Sequence, residues 1–264
     1  MSNDTILLDR QGGIATLTLN RPAVLNTLDF EMMGALVAQT AALSSDHTIR
    51  VVVVRGAGKH FMAGGDLQTF ASQLSMEPSD RQRFFERMIE RLHASIELLH
   101  RMPHPVIASV HGAVAGFGLS LMCACDLVVA SDDAFFASAY RHIGLTPDGG
   151  GTWSLPRIVG LRKALEILLL AERLDAQQAL SIGLVNKVVP AAERDAVVTA
   201  WAESIARAPV TAVRNAKRLV RASLNASLSQ QLGAEAASFA QCAATEDFAE
   251  GISAFLEKRK PRFE

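Results

Sequence analysis

One carboxylate set among glycines, and two glycine-bearing loops that each follow an apolar run, are the residues of this sequence best suited to chemistry. Asp148 stands between Pro147 and Gly149-Gly150-Gly151. Proline fixes its own φ and glycine lets other segments approach closely, so the flanks predict an acid held in a tight, closely packed turn. Pro-Asp-Gly is also an ordinary turn sequence, in which the carboxylate accepts from its own backbone. Gly64-Gly65-Asp66 follows the run Ile49 to Val54, and the stretch from Gly112 to Gly118 follows the run Val106 to Val110. The second stretch leads into a predicted helix, whose first amides and dipole favour developing negative charge. An N–H from Gly65 and an N–H from Phe117, aimed at one carbonyl or thioester oxygen, would form an oxyanion hole. Such a hole serves an enolate as well as a tetrahedral intermediate, so the acid–base group selects the reaction.

Competing chemistries lack their residues. Gly112, Gly116 and Gly118 have the wrong spacing for a dinucleotide loop. There is no Gly-x-Ser-x-Gly elbow, since Ser120 is followed at position 122 by Met rather than Gly. Cys123 and Cys125 have no second pair to complete a tetrahedral metal site and, with Cys242, read as reduced thiols, so no metal is expected. Asp66 and Asp126 read as structural acids, one bonding its loop and one closing the helix before it. His111 and His142 are alternative bases near neutral pH.

These groups need a scaffold, and the pattern supplies one. Ile6 to Leu8 and Ile14 to Leu19, separated by Gln11-Gly12-Gly13, read as a hairpin. Asp29 is placed to cap a helix running to about Leu43. The runs 49–54, 106–110 and 127–130 are nearly unbroken apolar, as in strands covered on both faces. A helix with an apolar stripe spans 79–100, and the order strand, glycine loop, helix, strand indicates an α/β core to about residue 190. Residues 188–190 read as a connector. Helices are expected over 153, 162–171, 176–182, 191–208, 211–224, 230–239 and 248–259, the last four forming a helical part from 191 to 264.

Composition narrows the partners. The 264 residues carry a net charge of −1, with 49% hydrophobic and 20% charged residues, enough to bury a substantial core. Without a basic excess, neither nucleic acid nor an anionic membrane is an expected partner. No apolar stretch approaches the roughly 18 residues of a membrane span, and Met1-Ser2-Asn3-Asp4 does not begin a signal peptide, which makes a cytoplasmic location the expectation.

In Asn20-Arg21-Pro22 with Asn26 and Leu28, Phe61 to Leu67, Val110-His111-Gly112 through Gly118, Cys125-Asp126 and Gly144 to Gly150, the chain resembles the crotonase superfamily of enoyl-CoA hydratases and isomerases. The segments 176–185 and 251–259 resemble it too, so the likeness runs over essentially the whole length. It implies a ββα spiral core over 1–190 holding an acyl-CoA site, and a helical region over 191–264 that oligomerises and covers the coenzyme A. A homotrimer or dimer of trimers is the implied assembly. No separate cofactor is implied, coenzyme A being part of the substrate.

Residue by residue, the resemblance puts the oxyanion hole on the backbone N–H groups of Gly65 and Phe117, the latter where the family often has glycine. It puts the coenzyme A moiety near Val24, Ala63, Gly65, Asp66 and Leu67, with a basic residue of the last helix, Lys258. The two glutamates that activate water in the family's hydratases match Ser120 and Tyr140, which would line the substrate pocket here. A hydroxyl and a phenol near their ordinary pKa values do not replace two carboxylates. Asp148 falls where some isomerases of the family carry a single acid–base carboxylate. The implied activity is therefore double-bond isomerisation of an enoyl-CoA, Δ3 to Δ2. The alternatives are hydration with altered acid–base residues, ring-opening isomerisation of an epoxide as in phenylacetyl-CoA degradation, and acyl-CoA binding without catalysis.

Overall fold

Strand alternation and buried apolar runs become a six-stranded sheet in the computed structural model, which describes residues 4–263. Strands β1 (Ile6–Gln11) and β2 (Ile14–Leu19) pair antiparallel as the predicted hairpin, Gln11 opposite Ile14. Helix α1 (Phe30–Ser45) follows, with the Asp29 carboxylate accepting the Met32 N–H at 2.9 Å as its N-cap. It leads to β3 (Val51–Gly56), which lies parallel to β2. A short α2 (Leu67–Ala71) and the long α3 (Pro78–Arg101) cross to β4 (Val106–Val110), parallel to β3. Next come β5 (Ala113–Ala115), α4 (Phe117–Ala124), β6 (Leu127–Ser131) and β7 (Phe135–Ala137).

A 3-10 turn over Ala139–Ile143 precedes α5 (Gly151–Val159) and α6 (Leu161–Leu170). Then β8 (Leu174–Asp175), α7 (Ala176–Ser181) and β9 (Lys187–Val189) complete the strands. The remaining helices are α8 (Arg194–Ala206), α9 (Val210–Ser223), α10 (Leu228–Ala243) and α11 (Glu246–Leu256).

The large sheet runs β1-β2-β3-β4-β6-β9, and every pairing after the hairpin is parallel. Its central strands are mostly apolar, as in residues 51–54, because both faces are covered. Val51, Val53, Ile107 and Val129 pack with Val198 and Ala202 of α8, while Val52, Val54, Ala108 and Val110 join the larger core with α1, α3 and α4.

Three short segments correct the sequence reading. Residues 187–189 are a strand rather than a connector, pairing with β6 at Ala130↔Val188. The Gly112–Gly118 stretch contains β5, which with β7 and β8 forms a second, three-stranded sheet. A strand of two or three residues is too short to express a period of two, and only its partner identifies it. The last helix stops at Leu256, so Lys258 is not on it: this residue is exposed, in a turn, with φ +57°.

Candidate functional site

The loop between the 3-10 turn and α5 carries Asp148. It folds back on α4 because Gly149, at φ +57°, presents a bare Cα to that helix. A Cβ there would lie 2.9 Å from Ser120 Cβ and 2.9 Å from Phe117 Cε2. Three side-chain bonds hold the loop. Ser120 Oγ donates to the Asp148 carbonyl at 2.8 Å, Tyr140 Oη donates to Asp148 Oδ1 at 2.5 Å, and the Gly149 N–H donates to His93 Nε2 at 3.1 Å. The carboxylate therefore takes its bond from a phenol of the preceding turn.

The electrostatics follow from this burial. Asp148 is half-buried, and loss of water pushes its carboxyl above the usual carboxylate range, with the Tyr140 bond pulling the other way. Tyr140 is buried and its phenol is pushed far up, first by desolvation and then by the adjacent carboxylate. It is a neutral donor across the physiological range, unable to act as a base.

The glycine loops meet beside this turn. Residues 61–66 are stitched on one side to β5, through Met62 N to the Ala113 carbonyl and Ala115 N to the Met62 carbonyl. On the other side Ala63 N reaches the Leu25 carbonyl, and Leu28 N and Asp66 N bond around Gly65. Gly64 then lies against the chain at Gly116, whose own Cβ would sit 3.3 Å from Gly64 Cα. Gly116 N is taken by the Ala137 carbonyl. Among the described residues no acceptor takes the N–H of Gly65 or of Phe117, the first residue of α4. Two free amides on touching loops, one at a helix N-terminus, can receive an oxyanion.

The remaining candidates divide. Val24 and Leu67 are exposed, and the Ala63–Leu25 bond brings the Val24 segment alongside Ala63. Asp66 uses one oxygen to cap α2 through Gln68 N at 3.0 Å and the other to bind Arg21 at 3.1 Å. Asp126 does more than close α4. It accepts the Val106 N–H and pairs with Lys217 at 2.7 Å and Arg221 at 2.6 Å. His111 is buried, with Nε2 on the Gly58 carbonyl, and burial lowers its pKa; His142 is exposed; neither bonds to the Asp148 cluster.

His93 is the member of the cluster that sequence reading missed, since it lies among the charged residues of α3 with no motif around it. Beyond Gly65 an edge-to-face series of rings, Phe70, Phe85, Phe84 and Phe30, leads to a cavity of about 1050 Å³ between α1 and α3. The ring of Phe70 lies against Gly65, 2.6 Å from where a Cβ would stand.

Comparison with known proteins agrees with this architecture. A family model described as enoyl-CoA hydratase/isomerase matches residues 9–264. A probable enoyl-CoA hydratase of Rhodobacter capsulatus is 37% identical over 265 residues, covering 100% of this chain and 99% of the relative. The 1,2-epoxyphenylacetyl-CoA isomerase of Escherichia coli K12 is 35% identical over 263 residues, covering 98% and 97%. The crystal structure of an enoyl-CoA hydratase from Polaromonas sp. JS666 superposes with a TM-score of 0.90 at 37% identity, covering 98% of this chain and 99% of that one. The fold is the crotonase-like α/β fold, with a sheet core and C-terminal helices. Among the described residues no helix is long and apolar enough to cross a membrane.

Proposed function

The chain belongs to the enoyl-CoA hydratase/isomerase family, and we propose that within it this protein moves the double bond of an enoyl-CoA from Δ3 to Δ2, with Asp148 as its single acid–base. One observation carries the reading: the loop that holds Asp148 is tied to a serine and a phenol where the hydratase glutamates would stand. A hydratase needs a pair of groups to activate water and protonate carbon. An isomerase returns the proton it removed and needs one group.

The thioester oxygen sits between the Gly65 and Phe117 amides. Asp148 removes a proton from C2 of the 3-enoyl thioester, the electron pair flows into the carbonyl, and the dienolate oxygen takes the charge. The proton then returns from Asp148 to C4, leaving the C2–C3 double bond in conjugation with the carbonyl. No atom is added or lost. Each amide contributes about 3 kcal/mol to the charged intermediate. The raised carboxyl of Asp148 suits the task, because a base held closer to neutrality accepts the C2 proton more readily. The Tyr140 hydroxyl occupies Oδ1, leaving Oδ2 for the substrate.

The coenzyme A moiety of the substrate lies along Val24, Ala63 and Leu67, with Asp66 fixing that loop. Ser120 and Tyr140 form the floor of the pocket, and α2 with the first half of α3 shapes the acyl end. Exposed apolar side chains on the last three helices, among them Val220, Phe239 and Phe255, support a trimer or dimer of trimers that would cover them. The E. coli relative acts on an epoxide, and the same single carboxylate and hole would serve ring opening as a second reading.

The test is Asp148→Asn assayed on a 3-enoyl-CoA, with the unsubstituted protein assayed in parallel for hydration of a 2-enoyl-CoA. Isomerisation is expected to fall by at least about 10²-fold in the variant, the low end for losing a general base, and hydration to stay at background. Full isomerisation by the variant, or robust hydration by the unsubstituted protein, overturns the reading.

A further inference from the structure

His93 hydrogen-bonds to the Asp148 loop from outside the loop, the preceding 3-10 turn and α4. It reaches across from α3, half-buried, and its Nε2 accepts the N–H of Gly149 at 3.1 Å. A ring nitrogen that accepts carries no proton, so this imidazole is neutral with its hydrogen on Nδ1.

The bond falls at a sensitive point. Gly149 directly follows Asp148, is buried, and has φ +57°. Ser120 fixes the carbonyl of Asp148 and Tyr140 fixes one carboxylate oxygen, but neither holds the peptide N–H that comes after. Without His93 that N–H is a buried donor with no acceptor, a deficit of about 1–3 kcal/mol. Glycine tolerates either sign of φ, so the 148–149 peptide is free to rotate toward another acceptor and carry the carboxylate with it.

We propose that His93 is a positioning residue for the acid–base carboxylate: a neutral, Nδ1-protonated imidazole on α3 that pins the Asp148–Gly149 peptide and so sets the direction of the free carboxylate oxygen. The inference rests on the reading of Asp148 as the acid–base. It makes α3 a structural partner of the proton transfer, so that packing changes along this helix reach the reaction through one hydrogen bond.

Two substitutions in the full chain and a direct probe of the bond test it. His93→Leu removes the acceptor. His93→Gln supplies Oε1 at about the reach of Nε2. Displacing a reacting group by about 1 Å costs on the order of 10²-fold, so His93→Leu is expected to lower kcat roughly 10- to 100-fold with KM for the enoyl-CoA changed little, and His93→Gln to recover most of the loss. A residue that only fills space would show no such rescue. In the unsubstituted protein, ¹⁵N NMR should find His93 protonated on Nδ1, and the Gly149 amide should be protected from solvent exchange, with protection lost in His93→Leu while β4 amides keep theirs.

Full kcat in His93→Leu, no recovery in His93→Gln, or a ring protonated on Nε2 overturns the proposal. Full activity in Asp148→Asn removes its premise instead. The two failures are told apart because the exchange measurement reads the His93–Gly149 bond without reference to activity.

Discussion

Adding one methyl group to Gly149 should misplace the carboxylate without touching it. An alanine Cβ at this position would stand 2.9 Å from both Ser120 Cβ and Phe117 Cε2, where carbon atoms in contact prefer about 3.5–4.0 Å. The shortfall is at least about 0.6 Å on two sides. Neither neighbour can yield easily: Phe117 and Ser120 are each 2% exposed, in a helix whose every residue is buried. The loop must retreat, stretching the Ser120 and His93 bonds and moving Asp148. Half an ångström of displacement predicts a kcat reduced by about tenfold or more, with KM little changed.

Stability falls as well, by about 1–2 kcal/mol for a non-glycine residue in left-handed backbone and about 1–3 kcal/mol for the overpacking. Gly183→Ala is the control. It has φ +73° with nothing within 4 Å of a Cβ, so it bears the backbone cost alone. The assay pairs steady-state isomerisation of a 3-enoyl-CoA with thermal unfolding of both variants. Gly149→Ala with unchanged kcat and no greater loss of stability than Gly183→Ala would refute the argument from contact.

Tyr140→Phe removes the hydroxyl that favours the ionised form of Asp148. The carboxyl should move further up, and the acid limb of the kcat/KM profile should shift to higher pH; an unmoved limb would show that the bond does not act on the base. The same raised carboxyl makes Asp148 a burden on the fold. Where the folded-state pKa lies above the unfolded one, the folded chain binds more protons, and stability drops as pH rises through that window. Asp148→Asn should therefore unfold at a higher temperature than the unsubstituted protein at neutral pH, with the gain vanishing in acid, and equal stabilities at neutral pH would contradict the burial argument. Asp126→Ala leaves Lys217, whose side chain is 8% exposed, as a buried unpaired cation. A loss of about 3–5 kcal/mol in urea unfolding is expected, partly restored by adding Lys217→Met; no recovery in the double variant would place the cost elsewhere.

The reach of the sequence can be judged residue by residue. Residues 51–54 and 106–110 had to be strands covered on both faces, because no amphipathic pattern fits them. Asp29 had to cap α1 because a short acceptor stood before a helical period. Asp148 stood out because proline fixes its own φ and glycine admits close approach, whatever surrounds them. These signals are local, set by propensity and spacing within a few residues. The strands β5, β7, β8 and β9 carried too few residues for a period, and the end of α11 before Lys258 depended on where the backbone turned left-handed.

Three things were decided by the tertiary structure alone. Gly64 and Gly116, 52 positions apart in the chain, touch because β5 bonds to residue 62 while residues 25–28 bond to the other edge of the same loop. Tyr140 became a partner of Asp148 through a turn whose geometry no spacing rule predicts. His93 joined them across 56 residues, because α3 packs beside the loop that α4 supports. Sequence determined which groups were available and which elements would carry them. Hydrogen-bond partners and burial belong to the packed molecule, since both depend on which distant segments exclude water from the same few ångströms of space.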